Sequence, residues 1–138
     1  MKLLLLISLL LSASVHAQEI NDRRALFNYQ MFCQGCHTPD GAGAASVPPL
    51  KDQIGQFLKS RAGREYLVRV PGSATSALAD AELAEVLNWI ILQFSGSSAD
   101  DGFVRYTASE VAHLRRDPLK EVVHYRQQLL AELEKTGA

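Results

Sequence analysis

Both cysteines of this 138-residue chain fall within five consecutive residues, Cys33-Gln34-Gly35-Cys36-His37. Two thiols separated by two residues, with a histidine directly after the second, constrain the chain more than any other feature. One short turn can offer both sulfurs to the edge of a porphyrin while the imidazole sits beneath its metal. Cys33 and Cys36 are therefore read as the tethers of one covalent haem c, and His37 as the proximal ligand of its iron. Two other readings use the same residues. A redox dithiol needs a thioredoxin-like βαβ framework, and no run of alternating β-branched residues supplies its strands. A structural zinc site needs four ligands, and the sequence holds no second Cys-x-x-Cys and no His-x3-5-His pair.

The N-terminus points to the same chemistry. Lys2 precedes an apolar run from Leu3 to Leu11, followed by Val15-His16-Ala17. A positive start, an apolar stretch and a small-residue cleavage site read as a secretory signal peptide over residues 1–17. The run is too short for a permanent membrane span. Covalent haem is attached outside the cytoplasm, so the expected location is the periplasm. The remaining residues suffice for one domain. With 14 basic and 15 acidic side chains, the chain has no excess charge with which to hold a nucleic acid.

Beyond the leader the patterning is helical, which gives an all-α fold class. Asn21 or Asp22 can cap a first helix carrying Leu26, Tyr29 and Phe32 or Cys33 at helical spacing. Thr38 to Gly43 reads as loop. Short helices are expected over residues 52–59 and 63–70, the second stopped by Pro71-Gly72. Residues 80–94 form the clearest helix, with Leu83, Val86, Leu87, Ile90, Ile91 and Phe94 in one wide stripe and Asp80, Glu82 and Glu85 near its positive end. Residues 95–106 have linker composition. An extension over 107–138 holds a Thr107/Glu110 capping box and a second helix from Asp117 to about Lys135, lined by Leu119, Val122, Val123, Leu129, Leu130 and Leu133. That stripe is expected to pack back on the body, and Arg115-Arg116 to form a solvated face.

With these elements in place, residues 18–94 read as one domain, in which the stretch from Asn21 to Phe94 resembles the small soluble mono-haem cytochromes c. Ala25 and Tyr29 look like the small and aromatic residues by which that family's first helix crosses its last core helix, and Trp89 like the aromatic they meet. Pro48-Pro49-Leu50 is similar to the family's Pro-x-Leu. The resemblance implies that the Pro48 carbonyl orients His37 and that Leu50 packs on the haem. It also implies a helical fold around the cofactor, one-electron carriage without substrate turnover, and redox partners such as a periplasmic dehydrogenase or oxidase. The chain would then be a carrier or an electron-acceptor subunit rather than an enzyme in its own right.

One position departs from the family pattern. The methionine usually supplied as sixth iron ligand, just before the last core helix, is replaced by Arg69-Val70-Pro71-Gly72-Ser73, and no methionine follows Met31. Met31 itself is expected in the core. His113 and His124 are the remaining imidazole candidates for the sixth position, with Lys51 and Lys59 behind them. Tyr66 and Arg69, near the vacant slot, are expected to face solvent. A filled sixth position gives a carrier indifferent to carbon monoxide; an open one gives a module that binds a gas or peroxide.

Overall fold

The computed structural model describes residues 19–100 and 102–136, so the expected signal peptide lies outside the described residues. Among the described residues there is no strand. Seven α-helices follow in order among them: α1 (Asp22–Phe32), α2 (Gln34–His37), α3 (Arg61–Arg69), α4 (Pro71–Ala74), α5 (Asp80–Phe94), α6 (Ala108–Leu114) and α7 (Val122–Thr136). Two 3-10 helices, Ile54–Lys59 and Gly96–Ser98, complete the set. None of the described helices is long and apolar enough to cross a membrane.

α5 is the axis of the fold. Its expected stripe is buried from Leu83 to Ile91, and so are Ala84, Glu85, Asn88 and Trp89. Helix α1 crosses it on one side, α6 packs on another, and the first 3-10 helix touches it as well. A helix enclosed this far must satisfy its buried polar groups. Glu85 accepts from Arg24 Nε at 2.6 Å, from Arg24 Nη2 at 2.8 Å and from the Asn21 amide at 2.9 Å. Asn88 exchanges two hydrogen bonds with the Tyr106 backbone, at 3.0 and 2.7 Å. Glu85 is thus a cross-helix partner rather than a dipole charge.

The crossing needs a small residue where the axes approach. Ala25 is fully buried there, and the Tyr29 ring lies 5.5 Å from Trp89 and 5.3 Å from Phe94. Asn21 caps α1, its side chain accepting from the Arg24 amide at 3.1 Å. Gly63 performs a similar service for α3. A Cβ on it would lie 2.0 Å from the Phe57 carbonyl oxygen, so only glycine lets α3 seat on the first 3-10 helix.

The C-terminal residues join this core. Val111, Leu119, Leu129 and Leu133 are buried in it, and burial of each such side chain is worth about 1.5–3 kcal/mol. The segment of linker composition holds the second 3-10 helix and sends Tyr106 into the core, its hydroxyl donating to the Arg64 carbonyl at 2.7 Å. Arg64 in turn lies 4.0 Å over the Tyr106 ring and binds Glu110 through two nitrogens. The Thr107/Glu110 box is therefore half used: Thr107 accepts from the Glu110 amide, while the carboxylate goes to Arg64.

Several expectations need correction. Pro71 follows the end of α3 at Arg69, as expected, but it also opens α4 at its first turn, where a missing amide hydrogen costs nothing. The last helix begins at Val122, and Leu119 reaches the core from the loop before it. Met31 is 62% exposed, because it lies with Phe27 on the face of α1 turned away from Ala25 and Tyr29. Tyr66 is buried, stacked at 6.1 Å on Tyr125 of α7. Arg69 binds the carbonyl and carboxylate of Asp117 rather than water. Arg115 is likewise no solvated residue, since it donates into the chain between α3 and α5.

The Arg24–Glu85 pair makes stability depend on pH. Arg24 foremost, and the Asn21 amide with it, hold the Glu85 carboxyl below its ordinary 4.5. A depressed folded value contributes stability above the unfolded one and loses it as pH falls through the folded one. Glu85→Gln is expected to melt below wild type at pH 7, with the gap narrowing as the pH drops below 4.5. Thermal melts from neutral pH down into the acid range check this, and a gap independent of pH would contradict it.

Candidate haem-attachment site

The five-residue motif hangs from the end of α1. The Cys33 amide closes α1 on the Tyr29 carbonyl at 2.9 Å, and the Cys33 carbonyl then accepts from Cys36 at 3.2 Å and His37 at 3.0 Å. One short turn, α2 with its N-cap Cys33, therefore carries both sulfurs and the imidazole on a common support. Neither cysteine is in a disulfide; Cys33 is half-buried and Cys36 exposed. Burial, with the neighbouring Cys36 adding to it, pushes the Cys33 thiol up to about 11. A dithiol that attacks disulfides needs a thiol shifted the other way. Among the described residues, no group of three or more His, Cys, Asp or Glu side chains comes together to hold a metal by itself.

The backbone after His37 doubles back. Thr38 adopts φ 63°, and its carbonyl accepts from the buried Tyr29 hydroxyl at 2.5 Å. Its own hydroxyl lies 2.5 Å from the His37 carbonyl and 2.7 Å from Asp40, and accepts from the Ala42 amide at 3.1 Å. The Thr38 hydroxyl foremost holds the Asp40 carboxyl below its usual range. Gly41, at φ 72°, accepts from the Leu50 and Lys51 amides at 2.8 and 3.0 Å while its α-carbon faces the Phe94 ring. A Cβ there would come within 2.8 Å of that ring. These contacts return residues 48–50 to the motif. Leu50 packs against the core, and the Pro48 carbonyl lies beside the His37 ring.

His37 shows what the arrangement lacks. Its Nδ1 is buried with no partner in hydrogen-bond geometry, although the Pro48 carbonyl is near enough to favour the protonated ring. Burial outweighs that effect and lowers its pKa below 6.5, leaving the neutral imidazole that ligates metals. A half-buried neutral imidazole beside a carbonyl, with two thiols on the same turn, fits covalent haem: Cys33 and Cys36 would hold the porphyrin, His37 would ligate its iron, and the Pro48 carbonyl would orient the ring.

The sixth-ligand candidates are placed differently. His113 and His124 are both exposed, on the faces of α6 and α7 away from Val111 and Leu133. Arg116 approaches His113 Nδ1 at 3.0 Å. Lys51 and Lys59 are exposed as well. Sequence reasoning missed the hydroxyl of Tyr29 as the anchor of the turn, and the cluster of Tyr66, Phe57, Tyr125 and Arg126 under α7. Tyr125 and Arg126 lie far along the chain from Tyr66 and Phe57, and the Tyr29–Thr38 contact spans the motif turn, so no local pattern announces either.

Tyr29→Phe keeps the ring and removes the donor to Thr38. It is expected to lower stability by about 1–3 kcal/mol, the cost of a buried acceptor left without a donor. Denaturant unfolding of the haem-loaded protein measures this. No change would mean that water replaces the hydroxyl.

No family model matches the chain. Two curated relatives do, both of them cytochrome c-552 from Thermus thermophilus. Each is 34% identical over 124 aligned positions, covering 76% of this chain and 91% and 80% of the respective relative. The aligned positions outnumber the residues of this chain that they cover, so the relatives carry stretches in the matched region that this chain lacks. Identity and coverage at this level, on an all-helical fold built around the Cys33–His37 turn, show that the chain belongs to the small c-type cytochromes, carriers of electrons on covalent haem c.

Proposed function

We propose that this cytochrome is a periplasmic one-electron carrier whose haem is tethered by Cys33 and Cys36 and ligated by His37. Pro48 orients the imidazole, and Leu50 packs on the porphyrin. The observation that carries the reading is the buried, partnerless Nδ1 of His37 on the turn that also bears both thiols. Cys36 is exposed, which would leave the tethered edge of the porphyrin within reach of a docking partner. The protein supplies binding, orientation and electrostatics; the redox chemistry is the cofactor's. A periplasmic dehydrogenase or oxidase is the class of partner that such a carrier serves.

A second reading concerns the face of the iron opposite His37. Both candidate histidines point to solvent, and no methionine follows Met31. That face is then open to a small ligand, and the thioether that raises the reduction potential in methionine-ligated cytochromes is missing. Electron carriage and ligand binding are compatible, since a five-coordinate iron still exchanges electrons.

The purified haem-loaded protein is expected to show one reversible one-electron wave. His113→Ala and His124→Ala, singly or together, are expected to leave its ferric spectrum and midpoint potential unchanged. Loss of a low-spin spectrum in either variant would make that histidine a ligand. A wave that is irreversible with every periplasmic redox partner tried would contradict the carrier reading. Carbon monoxide tests the open face: a shifted ferrous spectrum supports it, and an unchanged one removes it.

A further inference from the structure

Gly43 stands between the backbone and the ring of His37. Its amide donates to the His37 carbonyl at 3.1 Å, and its α-carbon faces the carbonyls of Val47 and Pro48. A turn closed by the Val47 amide on the Ala44 carbonyl at 2.8 Å brings Pro48 back against Gly43. The Pro48 carbonyl in turn lies beside the His37 ring, whose buried Nδ1 has no partner in hydrogen-bond geometry. A closed path thus runs from the His37 carbonyl through Gly43 to Pro48 and back to the His37 imidazole. Two properties of this position favour glycine. At φ 77° the backbone is left-handed, a conformation that side chains resist. A Cβ there would also overlap the Val47 carbonyl oxygen and lie 3.1 Å from both the carbon and the oxygen of the Pro48 carbonyl. All three obstructing atoms belong to the backbone, so the overlap is relieved only by moving the Val47–Pro48 segment itself.

We propose that Gly43 is a positioning residue for the Pro48 carbonyl: the space left by its missing side chain sets how closely that carbonyl meets His37 Nδ1, and through that contact the reduction potential of the haem. The inference rests on the reading given above, in which Pro48 orients the imidazole. A ring N–H that donates to a carbonyl makes the other ring nitrogen a stronger donor to a metal. Stronger donation favours ferric iron and lowers the potential; a carbonyl pushed away from the ring raises it. Gly43 acts through Pro48 and not on the iron.

The test uses the haem-loaded full chain and two readouts, the midpoint potential and the ring N–H proton of His37. The proton is followed by NMR in ferrous protein under carbon monoxide, where the iron is low-spin whether the gas or a protein group fills its other face. Wild type is expected to show a slowly exchanging ring N–H. In Gly43→Ala its exchange is expected to be about tenfold faster, and the ferrous-to-ferric ratio at the wild-type midpoint about threefold higher. Gly43→Asn is expected to match it, because asparagine tolerates the left-handed backbone but still brings a Cβ. Gly102→Ala is the control for backbone strain alone, since Gly102 has φ 80° and a Cβ there would meet nothing within 4 Å. It is expected to leave both readouts at wild-type values. The proposal is overturned if the Gly43 variants melt earlier while exchange and potential stay unchanged, or if Gly102→Ala shifts both as far. A wild type without a slowly exchanging ring N–H overturns the reading of Pro48 and this proposal together. Should neither Gly43 variant take up haem, wild type decides: nuclear Overhauser contact between the Gly43 α-protons and Pro48 supports the proposal, and its absence overturns it.

Discussion

Tyr29 joins the packing of the fold to the geometry of the site. Its ring fills the crossing of α1 and α5 against Trp89 and Phe94, and its hydroxyl holds the carbonyl one residue beyond His37. Burial pushes that phenol up to about 12, so it remains a donor throughout the physiological range. The motif turn starts where α1 stops, so any tilt of α1 on α5 is passed to both sulfurs and to the imidazole. Ala25 permits the close approach, and the Arg24–Glu85 pair fixes the rotation of α1 about its axis. The site is thus placed by a helix crossing rather than by its own loop.

The parts legible in the sequence are those fixed by neighbours a few residues apart. Helix α5 has the expected bounds, because its stripe and its acidic first turn are local signals. Asn21 caps α1 for the same reason. The Cys33–His37 turn is contiguous, and the approach of Pro48 to His37 follows from the resemblance rather than from composition. Met31 defies its expected burial because α1 is apolar on both faces, with Phe27 and Met31 outward, and apolar periodicity alone does not say which face is buried. Pro71 ends α3 as expected and also opens α4, a second role that a proline after a helix does not announce. Glu85, Tyr66 and Arg115 all find their decisive partners 35 or more residues away, and their roles emerge only once the helices are assembled.

The extension after Phe94 changes how the core works. Its apolar residues enlarge the hydrophobic core, and Arg115 holds the stretch that precedes α5. A c-type cytochrome of this size normally depends on its cofactor for much of its core. Here α6 and α7 add buried surface that the cofactor does not supply. The same elements pack Tyr125 on Tyr66 and set Arg126 over Phe57 at 5.7 Å, so that aromatic and cationic groups join α7 to α3 and the first 3-10 helix.

All of this turns on one porphyrin being bonded to Cys33 and Cys36. The most direct measurement is the intact mass of the denatured protein after export from cells able to attach haem. The expected value is the polypeptide plus one haem, surviving denaturation because thioether bonds do not dissociate. The mass of the bare polypeptide, recovered under those same conditions, would contradict it.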